Sequence, residues 1–151
     1  MKAVIQRVSE ASVTVDEKII GQIEWGFLIL LGVEKGDDKT EAEVLARKIS
    51  GLRVFTDEND KMNLALSDIG GGVLVISNFT LCGNCKKGRR PAFDNAARPQ
   101  EANELYEYFC ECMRANGIDN VQTGEFGADM KVSLLNDGPV TLIVDSKELS
   151  R

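Results

Sequence analysis

The sequence predicts an α+β domain: a strongly bent mixed sheet with two helices packed on it. Three observations carry this expectation. The first third of the chain is almost entirely strand pattern, two later segments repeat apolar residues at helical spacing, and further strands follow each of those segments. No linker or low-complexity stretch divides the 151 residues, so a single domain, 1–151, is expected. A chain of that size buries roughly two-thirds of its unfolded surface and folds without staples.

Ala3–Val8 and Ala11–Val15 alternate apolar and polar residues and read as strands, Lys18–Ile23 as their hairpin continuation, and Phe27–Leu31 as a continuous apolar strand buried on both faces. Asp37 or Asp38 can cap a helix in which Ala42, Leu45, Ile49 and Leu52 recur every three or four residues, ending near Arg53. Residues 57–60 form a turn. After Gly70–Gly72, Val73–Ile76 is a second buried strand. The second helix begins near Pro99, with Ala102, Leu105, Tyr106, Phe109 and Met113 as its apolar stripe. Its glutamates, Glu101, Glu104, Glu107 and Glu111, form a solvated outer face, and Asn116-Gly117 ends it. Met130, Val132 and Leu134 alternate in another strand, Asn136-Asp137 turns, and Val140–Val144 closes the chain's set of strands. Two strand–loop–helix units, starting at Gly26 and Gly72, hint at an internal duplication too divergent to argue from.

Composition narrows the function classes. No apolar stretch approaches the ~20 residues of a membrane span, and the N-terminus runs straight into a strand pattern, so a soluble cytoplasmic protein is expected. Histidine is absent altogether, which removes every Ser-His-Asp and Cys-His arrangement, the usual neutral-pH proton shuttle and the commonest zinc ligand. A net charge of −6 argues against nonspecific coating of nucleic acid. Lys86, Lys87, Arg89 and Arg90 nevertheless fall in one short acid-free run. Such a run can touch a few phosphates, but four charges alone read more readily as a solvated loop.

The cysteines, Cys82, Cys85, Cys110 and Cys112, read as free thiols. Cys82 and Cys85 have the spacing of half a zinc site or a redox pair. Cys110 and Cys112 cannot complete it, because residues two apart on a helix point about 200° apart. No metal is expected.

The segment from Ser77 to Phe93 is the richest in chemistry. It leaves a buried strand with Ser77, Asn78 and Thr80 and then becomes glycine-bearing and basic, the usual layout of a site beside a phosphate-attracting loop. A strand followed by a charged turn would look the same. Thr80 lacks any neighbouring base to activate it as a nucleophile, so catalysis here would rest on positioned backbone amides and on reactivity already present in the substrate. Gly138-Pro139 stands before a strand and marks its first residue or an edge, because proline cannot donate to a ladder. The isomer of that bond is not legible in the residues.

These residues resemble the D-aminoacyl-tRNA deacylases of the widespread bacterial and eukaryotic type. The likeness covers essentially the whole chain, through Ala3–Val8 with Ala11–Val13, Lys48–Arg53, Lys61–Asn63, Gly88–Pro91, Gly124–Met130 and Asn136–Thr141. The motifs at 77–81 and 138–139 are diagnostic together. One departure is visible: where the family reads Ser-Gln-Phe-Thr-Leu, this chain has Asn78, one methylene shorter.

The resemblance implies bent mixed and antiparallel sheets forming a barrel-like core. It implies a cofactor-free hydrolase that cleaves the ester of D-aminoacyl-tRNA, or of glycyl-tRNA mischarged on tRNA-Ala, releasing the amino acid and intact tRNA while rejecting L-aminoacyl substrates. It implies a homodimer in which a cis Gly138-Pro139 enters the partner's active site, its carbonyls holding the α-amino group, with Arg7 bracing the motif. Without the resemblance Arg7 reads as an ordinary strand arginine. The Phe79 and Thr80 amides would stabilise oxyanion charge while Ser77 and Thr80 orient; Asn78 belongs to the same catalytic segment. Phe126 and Met130 would line the adenosine site, although both could equally be core. Lys86, Lys87, Arg89 and Arg90 would take phosphates near the acceptor end.

Overall fold

A computed structural model describes residues 1–151 as a nearly closed, barrel-like sheet with three helices. Strand β1 (Lys2–Val15) organises it. One of its edges pairs antiparallel with β3 (Gly26–Gly32) through Lys2–Val8 and with β2 (Lys18–Ile23) through Ala11–Val15. The other edge pairs along nearly its full length with the last strand. The strands expected separately at Ala3–Val8 and Ala11–Val15 are therefore one. Alternation breaks where Arg7 and Val8 are both buried, and the pairing register slips there, so the break marks a bulge rather than a strand end.

Helix α1 (Lys39–Gly51) starts at Asp38, whose carboxylate accepts from the amides of Thr40 and Glu41, resolving the choice between Asp37 and Asp38. A small hairpin, β4 (Phe55–Thr56) and β5 (Met62–Leu64), flanks the expected turn, and a one-turn helix α2 (Leu66–Ile69) follows it. Helix α2 makes three helices where two were expected; four residues are too few to show a period. Strand β6 (Gly72–Ser77) lies parallel to β3, and β7 (Val121–Thr123) parallel to β6 beyond helix α3 (Pro99–Ala115).

The last strand, β8 (Lys131–Asp145), runs unbroken through the expected turn at Asn136-Asp137. It pairs only with β1. Pro139 thus sits inside a strand, but on a sheet edge and where the register with β1 slips, so its missing N–H costs no ladder bond.

Because successive residues face opposite sides, β3 and β6 serve two cores. Phe27, Ile29, Leu31, Val73 and Val75 join the helices in the larger cluster, whereas Leu28, Leu74 and Ile76 meet Val8, Val13 and Ile23 inside the barrel. Close backbone approaches shape that barrel. A Cβ on Gly21 would lie 2.6 Å from the carbonyl oxygen of Thr123, which brings β2 over β7; one on Gly26 would lie 1.8 Å from that of Gly72. No helix is long and apolar enough to cross a membrane.

Candidate active site

Strand β6 ends on polar residues, and the chain turns at once. The amide of Asn78 donates to Leu31 O at 2.8 Å, extending the β3–β6 ladder by one bond before a 3-10 turn at Phe79–Cys82. That turn sits directly on the end of β3 because residue 32 is glycine: a Cβ there would come within 2.9 Å of Leu81 Cβ and 3.2 Å of Asn78 O. As its first two residues, Phe79 and Thr80 have no acceptor for their amides within the turn. Neither amide donates in any of the loop, cap or side-chain hydrogen bonds. The next amide, of Leu81, is taken by Asn78 O at 3.3 Å.

The turn borders a cleft of about 730 Å³, within the size range of small-molecule sites. Ser77, Asn78 and Phe79 form one wall, with Leu30 and Ile76 reaching it from the barrel strands. Residues 126–130 form another. Met130 lies against the barrel core because residue 124 is glycine, whose Cβ would stand 2.6 Å from Met130 Sδ. Phe126 lies 6.3 Å from Tyr106 between ring centroids, and the Tyr106 hydroxyl donates to Val75 O at 2.6 Å. Burial pushes the Tyr106 hydroxyl pKa up, which keeps it protonated as that donor. Phe126 and Met130 both line the cleft and pack on the core.

The third wall was not legible in the sequence. It consists of Phe93, Ala96, Ala97, Arg98, Pro99 and Ala102, which lead into and begin α3. Phe93 stands edge-on to Phe79 with centroids 5.2 Å apart, and Gly83 packs so closely on it that a Cβ would lie 3.0 Å from the ring. Small alanines carry no chemical signature. Arg98 could have been suspected, as a cation at the residue before Pro99. Arg98 and Asp129 are the charged side chains of the lining, and Asp129 pairs with Lys131 at 3.2 Å in solvent.

The basic run projects from the same region. Asn84 and Ala92 exchange backbone hydrogen bonds of 2.7 and 2.9 Å, pinching residues 85–91 into a loop that carries Lys86, Lys87, Arg89 and Arg90, all exposed. These four stand beside the cleft without lining it. Cys85 is exposed in that loop, while Cys82, Cys110 and Cys112 are buried and all four are free.

Arg7, Gly138 and Pro139 lie outside their own chain's cleft. The Gly138–Pro139 peptide is cis, and both residues are exposed. The strand is pinned on either side of them. Arg7 is buried; its Nε donates to Asp137 O at 3.1 Å and its Nη1 to Val54 O at 2.7 Å, and it pairs with the Asp137 carboxylate at 3.3 Å. Asn136 donates to Arg7 O at 2.9 Å and to Val140 O at 3.0 Å, bridging the bulge.

The D-Tyr-tRNA(Tyr) deacylase family model matches residues 4–145. The chain belongs to that family. It is 62% identical over 146 residues to a D-aminoacyl-tRNA deacylase of Geotalea uraniireducens, covering 97% of this chain and 94% of that one. It is 58% identical over 145 residues to that of Pelobacter propionicus, covering 96% and 99%. A solved structure described as a c-Myc DNA unwinding element binding protein superposes with a TM-score of 0.91 at 40% identity, covering 96% of this chain and 98% of that chain. Membership makes the protein a D-aminoacyl-tRNA deacylase, a hydrolase of the aminoacyl ester.

Proposed function

We propose that the cleft receives the terminal aminoacyl-adenosine of tRNA and that the main chain does most of the work. The Phe79 and Thr80 amides offer free donors to the carbonyl oxygen of the ester, where negative charge develops as water adds. Water adds to the carbonyl carbon, the bond to the ribose oxygen breaks, and that oxygen regains a proton. The neighbouring ribose hydroxyl assists, so no side-chain acid or base is required. Ser77, Asn78 and Thr80 orient the substrate and the turn. Phe126 and Met130 contact the adenosine, and Lys86, Lys87, Arg89 and Arg90 take phosphates of the acceptor end, with affinity that falls as salt rises.

Selection of the D isomer falls, in this reading, to Gly138 and Pro139 of a second copy of the chain. Their exposure, their absence from their own cleft's lining and their bracing by Arg7 and Asn136 support contribution across a twofold axis. Their carbonyls hold the α-amino group and their bare backbone leaves no room for an L side chain; achiral glycine, including glycine mischarged on tRNA-Ala, passes. The enzyme works in the cytoplasm, where aminoacyl-tRNA is made and used.

The observation that carries this reading is the pair of unpartnered amides in the turn whose first residue lines the cleft. Proline at position 79 removes one of them. Asn78 before it is extended (φ −144°, ψ 90°), and the first position of a turn accepts proline. Phe79→Pro should lower single-turnover deacylation by about 10²–10³ relative to Phe79→Ala, which keeps the amide. Equal rates in the two variants would refute the amide mechanism.

A further inference from the structure

Asn78 occupies the position before the 3-10 turn, where an asparagine side chain ordinarily accepts a hydrogen bond from the amide two or three residues on. Those amides belong to Thr80 and Leu81. Leu81 N–H is already bound by the main-chain oxygen of Asn78, at 3.3 Å. That leaves the Thr80 amide as the natural target of the Asn78 side chain, and a capped Thr80 amide could not also serve the substrate. The side chain makes no capping bond. Its Oδ1 instead accepts from the Thr80 hydroxyl, at 2.5 Å. Asn78 is half-buried in the cleft wall and Thr80 is exposed, so no packing prevents the alternative pairing.

We propose that the Thr80 hydroxyl is a positioning group that engages Asn78 Oδ1 and thereby keeps the Thr80 amide uncapped and open to the substrate. The need for it is particular to asparagine at position 78. The glutamine of the family pattern places its carbonyl one methylene further out, beyond the short reach that makes asparagine an N-cap residue. The inference rests on the amide mechanism above, but it makes a statement about the free protein that can be measured without substrate.

Three variants decide it. Thr80→Val preserves shape and removes the donor. Thr80→Ser keeps a donor, and Asn78→Ala combined with Thr80→Val removes the competing acceptor as well. In Thr80→Val the released Asn78 caps the amide: hydrogen exchange at residue 80 should slow, and kcat on D-aminoacyl-tRNA should fall about 3–10-fold with little change in KM, the size expected of one capping bond. Thr80→Ser should recover both readouts. The double variant should lose the exchange protection seen in Thr80→Val, a reversal that a purely structural threonine would not show. Unchanged exchange at residue 80 in Thr80→Val, or exchange at residue 80 in the double variant as slow as in the single, overturns the proposal. Failure of the amide mechanism would be seen separately, as equal rates for Phe79→Pro and Phe79→Ala.

Discussion

Arg7 shows how much a single buried side chain can determine in this molecule. Its guanidinium satisfies the Val54 and Asp137 carbonyls and faces the Asp137 carboxylate, so it joins the β4 hairpin to the segment that presents Gly138. Shortening it strands buried acceptors and leaves the strand bulge unbraced. Arg7→Ala should lose about 3 kcal/mol in urea unfolding, because several charge-assisted hydrogen bonds go together; a loss under about 1 kcal/mol would contradict the bracing role. Arg7→Lys should recover little of it, since an ammonium cannot span both carbonyls. The thiols offer an independent check of the packing. Burial pushes the Cys110 thiol up to about 12 and is also the leading cause that raises Cys82 and Cys112. A thiol whose pKa lies well above the ambient pH offers almost no thiolate to an alkylating reagent. Iodoacetamide at neutral pH should therefore modify only Cys85 in the native protein and all four cysteines after unfolding. Rapid native labelling at Cys110 would mean that the α3 packing described here is wrong.

Among the elements, the parallel pair β3 and β6 places one wall of the cleft, and its geometry depends on two glycines facing each other. A Cβ on Gly26 would stand 1.8 Å from Gly72 O and 2.8 Å from its carbonyl carbon, contacts that only backbone movement can relieve. Gly26→Ala should destabilise the fold by at least about 3 kcal/mol, measured by thermal or chemical unfolding, because the clash is with main chain rather than a side chain that can turn aside. Long elements with a clear period were legible in the residues: β3, β6, α1 and α3 start and stop close to where their caps and apolar spacing place them. Two long strands were not. In β1 and β8 the pattern breaks at a bulge, and a local reading cannot tell a bulge from a turn, particularly at Asn136–Pro139, where every residue favours turning. The three-residue β7 exists only through its pairing with β6, a partner more than forty positions earlier. The site divides in the same way. Ser77–Thr80 stood out as polar residues at a strand end, whereas Phe93 and Ala96–Pro99 reach the cleft only because the chain folds back over the turn. The cross-chain assignment of Gly138 and Pro139 came from resemblance alone, since no local rule makes an exposed glycine–proline pair part of another molecule's cleft.

Over the whole molecule, the charges and the cleft fit a protein that holds one end of a polyanion and keeps the rest away. The net charge is −6, yet the loop at residues 85–91 gathers four cations beside an otherwise largely apolar cleft. That distribution suits the proposed grip on the acceptor end of tRNA. The proposed stereochemical filter asks most of the architecture, because it requires bare main chain rather than a charged or bulky side chain to discriminate between mirror images. It is also directly measurable. One tRNA should be charged separately with the D and L forms of the same amino acid, and release followed under single-turnover conditions. Rapid hydrolysis of the D ester with the L ester left intact is the expected result; equal rates for the two would contradict the filter.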